Sequence, residues 1–323
     1  MKVPRRISEI LRRKQLFIDG KRDVLQRDIL RLQSRLLDEI IAEILPFLDV
    51  KDGVILDTVK NYRLLSDLDK VYNNFARFVV EGVGAKIISS TSTLAKINQD
   101  YFTISLSGDL PKRFDRVIAS SKLKIDLRLG VEGGKMVRGG FLESFLKDPS
   151  LSTQVKNYIS KSITGQMDTK EFITGLRQMI NGDGGPGGLE KQYNRFAFDL
   201  YQQYDAAYGL SLAEEFDMRF FIYQGGLIGD SRDFCAAHNN KVWTRDESET
   251  WATWTPADGE YPEGYEIKAK DLTATPSYLG YVGYQPLIDR GGYNCRHSIG
   301  WISDTLAFDL RPELKKIYQT IDK

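Results

Sequence analysis

The segment GGYNCRHSIGWIS, residues 291–303, holds one of the two cysteines and one of the two histidines of the 323-residue chain. The other cysteine and the other histidine lie together upstream, in DSRDFCAAHNNKVWTRDE, residues 230–247. All the thiol and imidazole side chains of the sequence therefore fall in two short clusters. Whether the two clusters meet in space decides the fold of the last third of the chain.

The spacing within each cluster suits a shared metal ion. Cys235 and His238 are three residues apart, so both can reach one ion from a turn or from the first turn of a helix. Cys295 and His297 are two residues apart and point the same way if the backbone is extended. Thiolate and imidazole suit zinc, and four such donors form a closed shell without a place for substrate water. We therefore predict a structural zinc ion held by Cys235, His238, Cys295 and His297.

Three other interpretations of the clusters remain open. A disulfide between Cys235 and Cys295 would make the same cross-link, but it needs an oxidising compartment and leaves both histidines unexplained. The clusters could also form no bridge of any kind. A catalytic arrangement is the third, in which His238, Asn239 and His297 mimic a His-Asn-His nuclease while a carboxylate binds a hard metal ion, the candidates being Asp230, Asp233 and Glu247.

Charge is balanced over the chain and concentrated at its start. Forty-five Lys and Arg against 44 Asp and Glu give a formal net charge of +1, so no global field attracts nucleic acid or membrane. The start, MKVPRRISEILRRK, is locally basic and could contact DNA or an acidic partner, or could simply be a solvated helix end. No run approaches the ~20 apolar residues of a membrane span, and no secretory signal is recognised, so we expect a soluble protein made in a reducing cytoplasm.

The apolar pattern of the first half of the sequence predicts helices. Apolar residues recur at steps of three and four between residues 7 and 48, which predicts a long amphipathic helix, and a second helical run follows from about residue 55 to residue 80. The two could pack as a hairpin, either as part of a helical core or as an arm that docks on a larger assembly. The length of the first helix favours the arm, and we expect its stripe from Leu25 to Ile44 to serve assembly.

The second half of the sequence contains glycine-rich segments, and towards its end it becomes loop-rich. Glycine-rich GVEGGKMVRGG (residues 130–140) and NGDGGPGG (residues 181–188) predict flexible joints or turns, and Asp168 is a predicted helix N-cap. A long helix is expected from residue 189 to about residue 215, followed by a buried strand in MRFFIYQGG, residues 218–226. The predicted fold class is α+β, with long N-terminal helices, a helical middle and a loop-rich C-terminal module with short strands, stapled by zinc.

The pairing of DSRDFCAAHNNKVW with a downstream GGYNCRHSIGWIS resembles the C-terminal domain of the phage head morphogenesis, or minor capsid, protein family typified by the Mu F protein. The resemblance covers about residues 155–304 and rests mainly on the closing motif. The matching residues are Asp230, Arg232, Cys235, His238, Asn294, Cys295, Arg296 and His297. An Arg-Thr-Glu run that family members often carry in the preceding helix is absent, because that helix reads FDLYQQYDAAYGL here.

The resemblance implies a virion protein without enzymatic activity, assembled in the host cytoplasm and located in the capsid interior or at the portal vertex. Its implied partners are the portal protein and other head proteins, in multiple copies around the portal, with packaged DNA contacted through the basic N-terminus and no membrane partner. The implied domains are a helical arm (1–108), a glycine-rich connecting region (109–154) and a Mu F-like head morphogenesis domain (155–323). A metal-dependent DNA-processing enzyme and a non-catalytic DNA-binding connector are the alternatives.

Overall fold

The computed structural model describes residues 3–106, 111–182, 187–229, 231–267, 282–292 and 295–321, with the backbone alone for residues 189–198 and 319–321. The fold is α+β with a helical majority, as predicted. The helices are α1 (Arg5–Ile44), α2 (Val59–Phe78), α3 (Ala85–Ser105), α4 (Phe114–Leu129), α5 (Phe141–Leu146), α6 (Ser150–Thr164), α7 (Thr169–Asn181), α8 (Gly188–Glu215), α9 (Asp233–His238), α10 (Arg245–Glu249), α11 (Pro286–Asp289), α12 (Asp304–Leu310) and α13 (Glu313–Ile321). The strands are β1 (Val50–Lys51), β2 (Val54–Ile55), β3 (Val131–Glu132), β4 (Lys135–Met136), β5 (Phe220–Gln224), β6 (Lys241–Thr244) and β7 (Ser298–Ile302).

The chain forms two compact units, and each is assembled from separated stretches of sequence. Unit 1 comprises residues 1–20, 91–125 and 198–323, and unit 2 comprises residues 21–90 and 126–197. The predicted boundaries at 108 and 154 do not coincide with these units. The reason is that the first 20 residues belong with the C-terminal region, which sequence order alone does not indicate.

Unit 2 is helical and buries the apolar stripe of α1. Leu25, Ile29, Leu36, Ile40 and Ile44 are all buried, so this stripe is core within a single chain. The expectation that the stripe is a free assembly surface is therefore wrong. Periodicity reports that one helix face is apolar, and it does not report what covers that face.

Helix ends and turns in unit 2 follow their local sequence. The Asp168 side chain caps α7 as predicted, because it accepts hydrogen bonds from the backbone N–H groups of Lys170 and Glu171. The glycine-rich segment 130–140 forms turns around the antiparallel β3–β4 hairpin. Of the second glycine-rich segment, residues 183–186 lie outside the described residues.

Unit 1 is organised around β5, the buried strand predicted at residues 218–226. It is the centre of a three-stranded antiparallel sheet with strand order β6-β5-β7. Phe220 and Ile222 face a core cluster that includes Ile302 and Leu314. On the other face, Phe221 and Tyr223 contact the Trp251 ring edge to face. A strand buried on both faces needs the continuous apolar run that FFIY supplies.

A buried ion pair links α1 to α8 within unit 1. Lys14 Nζ lies 3.0 Å from Asp205 Oδ2, and each of these side chains is only 2% exposed. Asn98 on α3 donates a hydrogen bond of 2.7 Å from its Nδ2 to Asp205 Oδ1. A buried pair of charges requires such additional hydrogen bonds, because both ions have lost their hydration. Lys14 therefore belongs to the interior and not to the basic N-terminal surface that the sequence predicts.

None of the helices in the described ranges combines the length and the apolar character that crossing a membrane requires.

Candidate metal centre

Three of the four predicted ligands come together beside β5. Cys235 lies on α9, whereas Cys295 and His297 lie in the segment that leads from α11 into β7. The two sulfurs are 3.8 Å apart, and His297 Nδ1 is 3.9 Å from Cys295 Sγ. The ligand atoms of the three residues all lie within 4.8 Å of one another, and all three residues are buried. They could therefore hold a metal ion.

Two of the three separations are close to the edges of a tetrahedral zinc shell, and the third is no longer than 4.8 Å. Zinc–sulfur bonds of about 2.3 Å place two thiolates about 3.8 Å apart, and a zinc–nitrogen bond of about 2.0 Å places sulfur and nitrogen about 3.5 Å apart. The observed values of 3.8 Å and 3.9 Å lie close to these distances. Both cysteines are free thiols in the structure, so no covalent bond imposes this spacing.

His238, the fourth predicted ligand, does not join this group. Its Nδ1 makes a hydrogen bond of 2.7 Å with the carbonyl oxygen of Phe234. Its ring stacks on Phe234 on one side, at 3.9 Å between centroids, and on Trp243, at 4.5 Å. Trp251 and Trp254 present edges to the same ring, so an aromatic cage holds the imidazole. Within the described structure, the Cys2His2 set is reduced to two cysteines and one histidine.

Hydrogen bonds, burial and a nearby charge shift the pKa values of the two thiols in opposite directions. The hydrogen bond with Cys295, with burial, raises the pKa of Cys235 well above its ordinary value. Burial also raises the pKa of Cys295, but hydrogen bonds with Cys235 and His297 and the charge of Arg290 outweigh it, so that this pKa falls well below its ordinary value. The surroundings therefore favour the ionised form at Cys295 over the ionised form at Cys235.

Two arginines reach the centre from the adjoining chain. Arg290 is buried, and its Nη1 donates hydrogen bonds of 2.9 Å to His297 O and to Gln202 Oε1. Arg232 donates from Nη1 to the carbonyl oxygen of Gly291 at 3.1 Å. The sequence pattern includes Arg232 but not Arg290. Arg290 has an unusual positive φ of 54°, and its residue type gives no indication of this backbone conformation.

Gly291 makes the close approach of the ligands possible. A Cβ atom at this position would lie 2.6 Å from Cys235 Sγ and 3.1 Å from Cys295 Sγ. Gly225 has the same role beside the imidazole, because its Cβ would lie 2.7 Å from ring atoms of His297. Gly291 and Gly225 are therefore explained by the space that the sulfurs and the imidazole occupy.

The other residues proposed for the site have separate structural roles or lie outside the described ranges. Asp230 and Asn294 are outside those ranges. Asn239 Oδ1 accepts from the backbone N–H of Gly225. Glu247 completes the capping box of α10 and makes a two-bond ion pair with Arg311. Asp233 accepts a hydrogen bond from Tyr265 Oη. Arg296 is exposed, and the structure gives it no ion pair within the described part of the chain.

Comparisons of the chain with models of known protein families, with curated proteins and with solved structures found no match.

The cage around His238 predicts a defined response to acid. Burial lowers the pKa of His238 from 6.5 to about 3, although the hydrogen bond with Phe234 O opposes this shift. Between these two values the unfolded chain binds a proton that the folded chain does not, so stability falls as the pH decreases. From pH 7 to pH 5 we expect this residue to reduce the free energy of unfolding by about 2 kcal/mol.

The measurement is denaturant unfolding of the wild type and of His238→Phe at both pH values. Phenylalanine keeps the stacked ring and removes the titrating nitrogen, so the variant should lose about 2 kcal/mol less stability than the wild type over this interval. Groups that titrate elsewhere act equally on both proteins and cancel in the difference. Equal pH dependence in the two proteins would show that His238 is not held neutral by the fold.

Proposed function

We propose that the chain is a minor head protein of a phage capsid, associated with the portal, and that its C-terminal region is stapled by a structural zinc ion. The observation that carries the proposal is the closing motif GGYNCRHSIGWIS together with the position of its Cys295 and His297 beside Cys235. Three of the residues that carry the resemblance to the head morphogenesis family, Cys235, Cys295 and His297, also make a buried cluster of metal donors.

The donor set favours zinc, and the burial favours a structural role. Two thiolates and an imidazole are soft and borderline donors, which suit zinc better than magnesium or calcium. The ligands are each no more than 4% exposed, so the centre offers no open route by which a substrate would reach the ion. Zinc binding contributes about 10–16 kcal/mol to the folding of small zinc domains, enough to hold a region of short strands and helices.

The basic N-terminus is the proposed contact for packaged DNA. Arg5, Arg6, Arg12 and Arg13 are exposed on α1, although Arg5 also pairs with Glu9. Such side chains bind DNA phosphates without recognising the base sequence. This binding weakens as the salt concentration rises, because cations of the salt compete for the phosphates. In this proposal the protein is a structural component of the virion beside the portal, and it performs no chemical reaction.

Metal analysis tests the zinc proposal and identifies the ligands. Protein purified under reducing conditions should contain about one zinc ion per chain. Cys295→Ser and His297→Phe should each remove most of the metal, because each deletes a donor. His238→Phe is the matched control, since it deletes the other histidine, and it should retain the full zinc content. A zinc content that depends equally on both histidines would restore the four-ligand set predicted from the sequence.

Co-expression with the portal protein of the same genome tests the assembly role. A tagged form of the chain should retain the portal protein through purification and should not cleave DNA when divalent ions are added. A variant with Arg5, Arg6, Arg12 and Arg13 changed to Gln should keep portal binding and lose any salt-sensitive DNA binding.

Two results would replace this proposal with an alternative. Failure to bind the portal protein, with DNA cleavage that depends on a divalent ion, would identify a DNA-processing enzyme. Failure to bind the portal protein, with DNA binding that the four-arginine variant loses, would identify a connector without catalysis. The engagement of Asn239 and Glu247 in backbone and ion-pair contacts weighs against the enzyme.

A further inference from the structure

The hydroxyl group of Tyr223 lies against both sulfurs of the candidate metal centre. Tyr223 Oη is 3.2 Å from Cys295 Sγ and 3.5 Å from Cys235 Sγ. The residue is on the central strand β5, and its side chain is fully buried. Its ring stacks nearly parallel to the His297 imidazole, with 4.8 Å between centroids and 12° between planes. The phenol is thus held from two sides in one position.

That position fits the fourth corner of a zinc shell with respect to both sulfurs. Metal–oxygen bonds of about 2.0 Å and zinc–sulfur bonds of about 2.3 Å place an oxygen ligand about 3.5 Å from each thiolate. The two measured distances, 3.2 Å and 3.5 Å, fit this requirement. Structural zinc sites have four ligands, and the cluster of Cys235, Cys295 and His297 supplies only three.

We propose that Tyr223 is the fourth ligand, binding zinc through its phenolate oxygen and losing the hydroxyl proton to solvent. The inference rests on the zinc centre of the proposed function and deepens it, because it turns an incomplete set of donors into a closed one. It also gives a role to the buried tyrosine that follows the apolar residues Phe220–Ile222 in β5. Tyr223 takes the place that the sequence assigned to His238.

Burial and the two sulfurs raise the pKa of Tyr223 well above its ordinary value, so a phenolate there requires the charge of the metal ion. Two thiolates neutralise Zn²⁺, so a phenolate leaves the centre with one negative charge. Arg290 is buried and has no carboxylate partner in the described part of the chain. A buried guanidinium group requires an opposite charge nearby, and the metal centre with Tyr223 supplies it. Arg232, bonded to the Gly291 carbonyl oxygen, adds a second positive charge beside Cys235.

The test is a titration of the metal-free full-length protein with zinc, followed by ultraviolet difference spectroscopy. Ionised tyrosine absorbs at longer wavelength than tyrosine, so zinc should produce a tyrosinate difference band equivalent to one residue per bound ion. Tyr223→Phe should lack this band and bind zinc more than about 100-fold more weakly, a loss larger than that expected for a residue outside the ligand shell. Tyr101→Phe is the matched control, because Tyr101 is equally buried in the same unit and bonds to Trp301 O.

Each outcome separates this inference from the zinc proposal. Zinc binding with the tyrosinate band, lost in Tyr223→Phe and kept in Tyr101→Phe, supports both. Zinc binding by the wild type without the band overturns the inference alone, and Tyr223 then donates a hydrogen bond to a thiolate. A band that persists in Tyr223→Phe assigns the ligand to another tyrosine and also overturns it. If the wild type binds no zinc, the metal centre itself is wrong.

Discussion

Buried polar groups need hydrogen-bond partners or opposite charges, and the rest of the structure depends on this constraint. At the end of β5, two thiols, an imidazole, a phenol and a guanidinium group are enclosed together, with little water to solvate them. Removing such groups from water costs free energy unless each finds a hydrogen bond or an opposite charge. His297 Nε2 and Arg290 Nε have no hydrogen-bond partner in the described part of the chain. A cation bound by the two sulfurs and the imidazole would compensate the charge of the buried thiolates.

The rest of unit 1 holds these groups at the required separations. Arg290 bonds to Gln202 of α8, and Gln202 in turn reaches Gln15 of α1 through a hydrogen bond of 3.4 Å. One residue earlier on α1, Lys14 makes its buried ion pair with α8. The helical part of the unit is therefore connected to the metal centre by polar contacts. Removing the metal ligands would disturb this network as well as the loops that the ligands join.

The sequence contained enough information for the elements and for most of the centre. The long helices, the Asp168 cap and the buried strand at Phe220–Gln224 follow from periodicity, side-chain chemistry and a continuous apolar run. The meeting of Cys235 with Cys295 and His297 follows from the confinement of these side chains to two clusters. The helices, the cap and the strand follow from local sequence patterns. The metal centre follows from residue types so rare in this chain that few combinations of ligands exist.

The sequence does not show which residues that are far apart in the chain contact one another in the fold. Cys235 and His238 have a spacing that suits a shared ion, but the rings of Trp243, Trp251 and Trp254 enclose His238 instead. The sequence predicts Tyr223 only as a strand residue, because nothing in MRFFIYQGG shows which side chain faces the sulfurs. For the same reason the periodicity of α1 predicts an apolar stripe but not that the stripe is buried within the chain.

X-ray absorption at the zinc edge of the zinc-loaded full chain tests the central claim most directly, because it counts the sulfur and the lighter ligands around the ion. The account predicts two sulfur atoms at about 2.3 Å and two nitrogen or oxygen atoms at about 2.0 Å, with no fifth ligand. A shell without sulfur, or one with four sulfurs contributed by two chains, would contradict it.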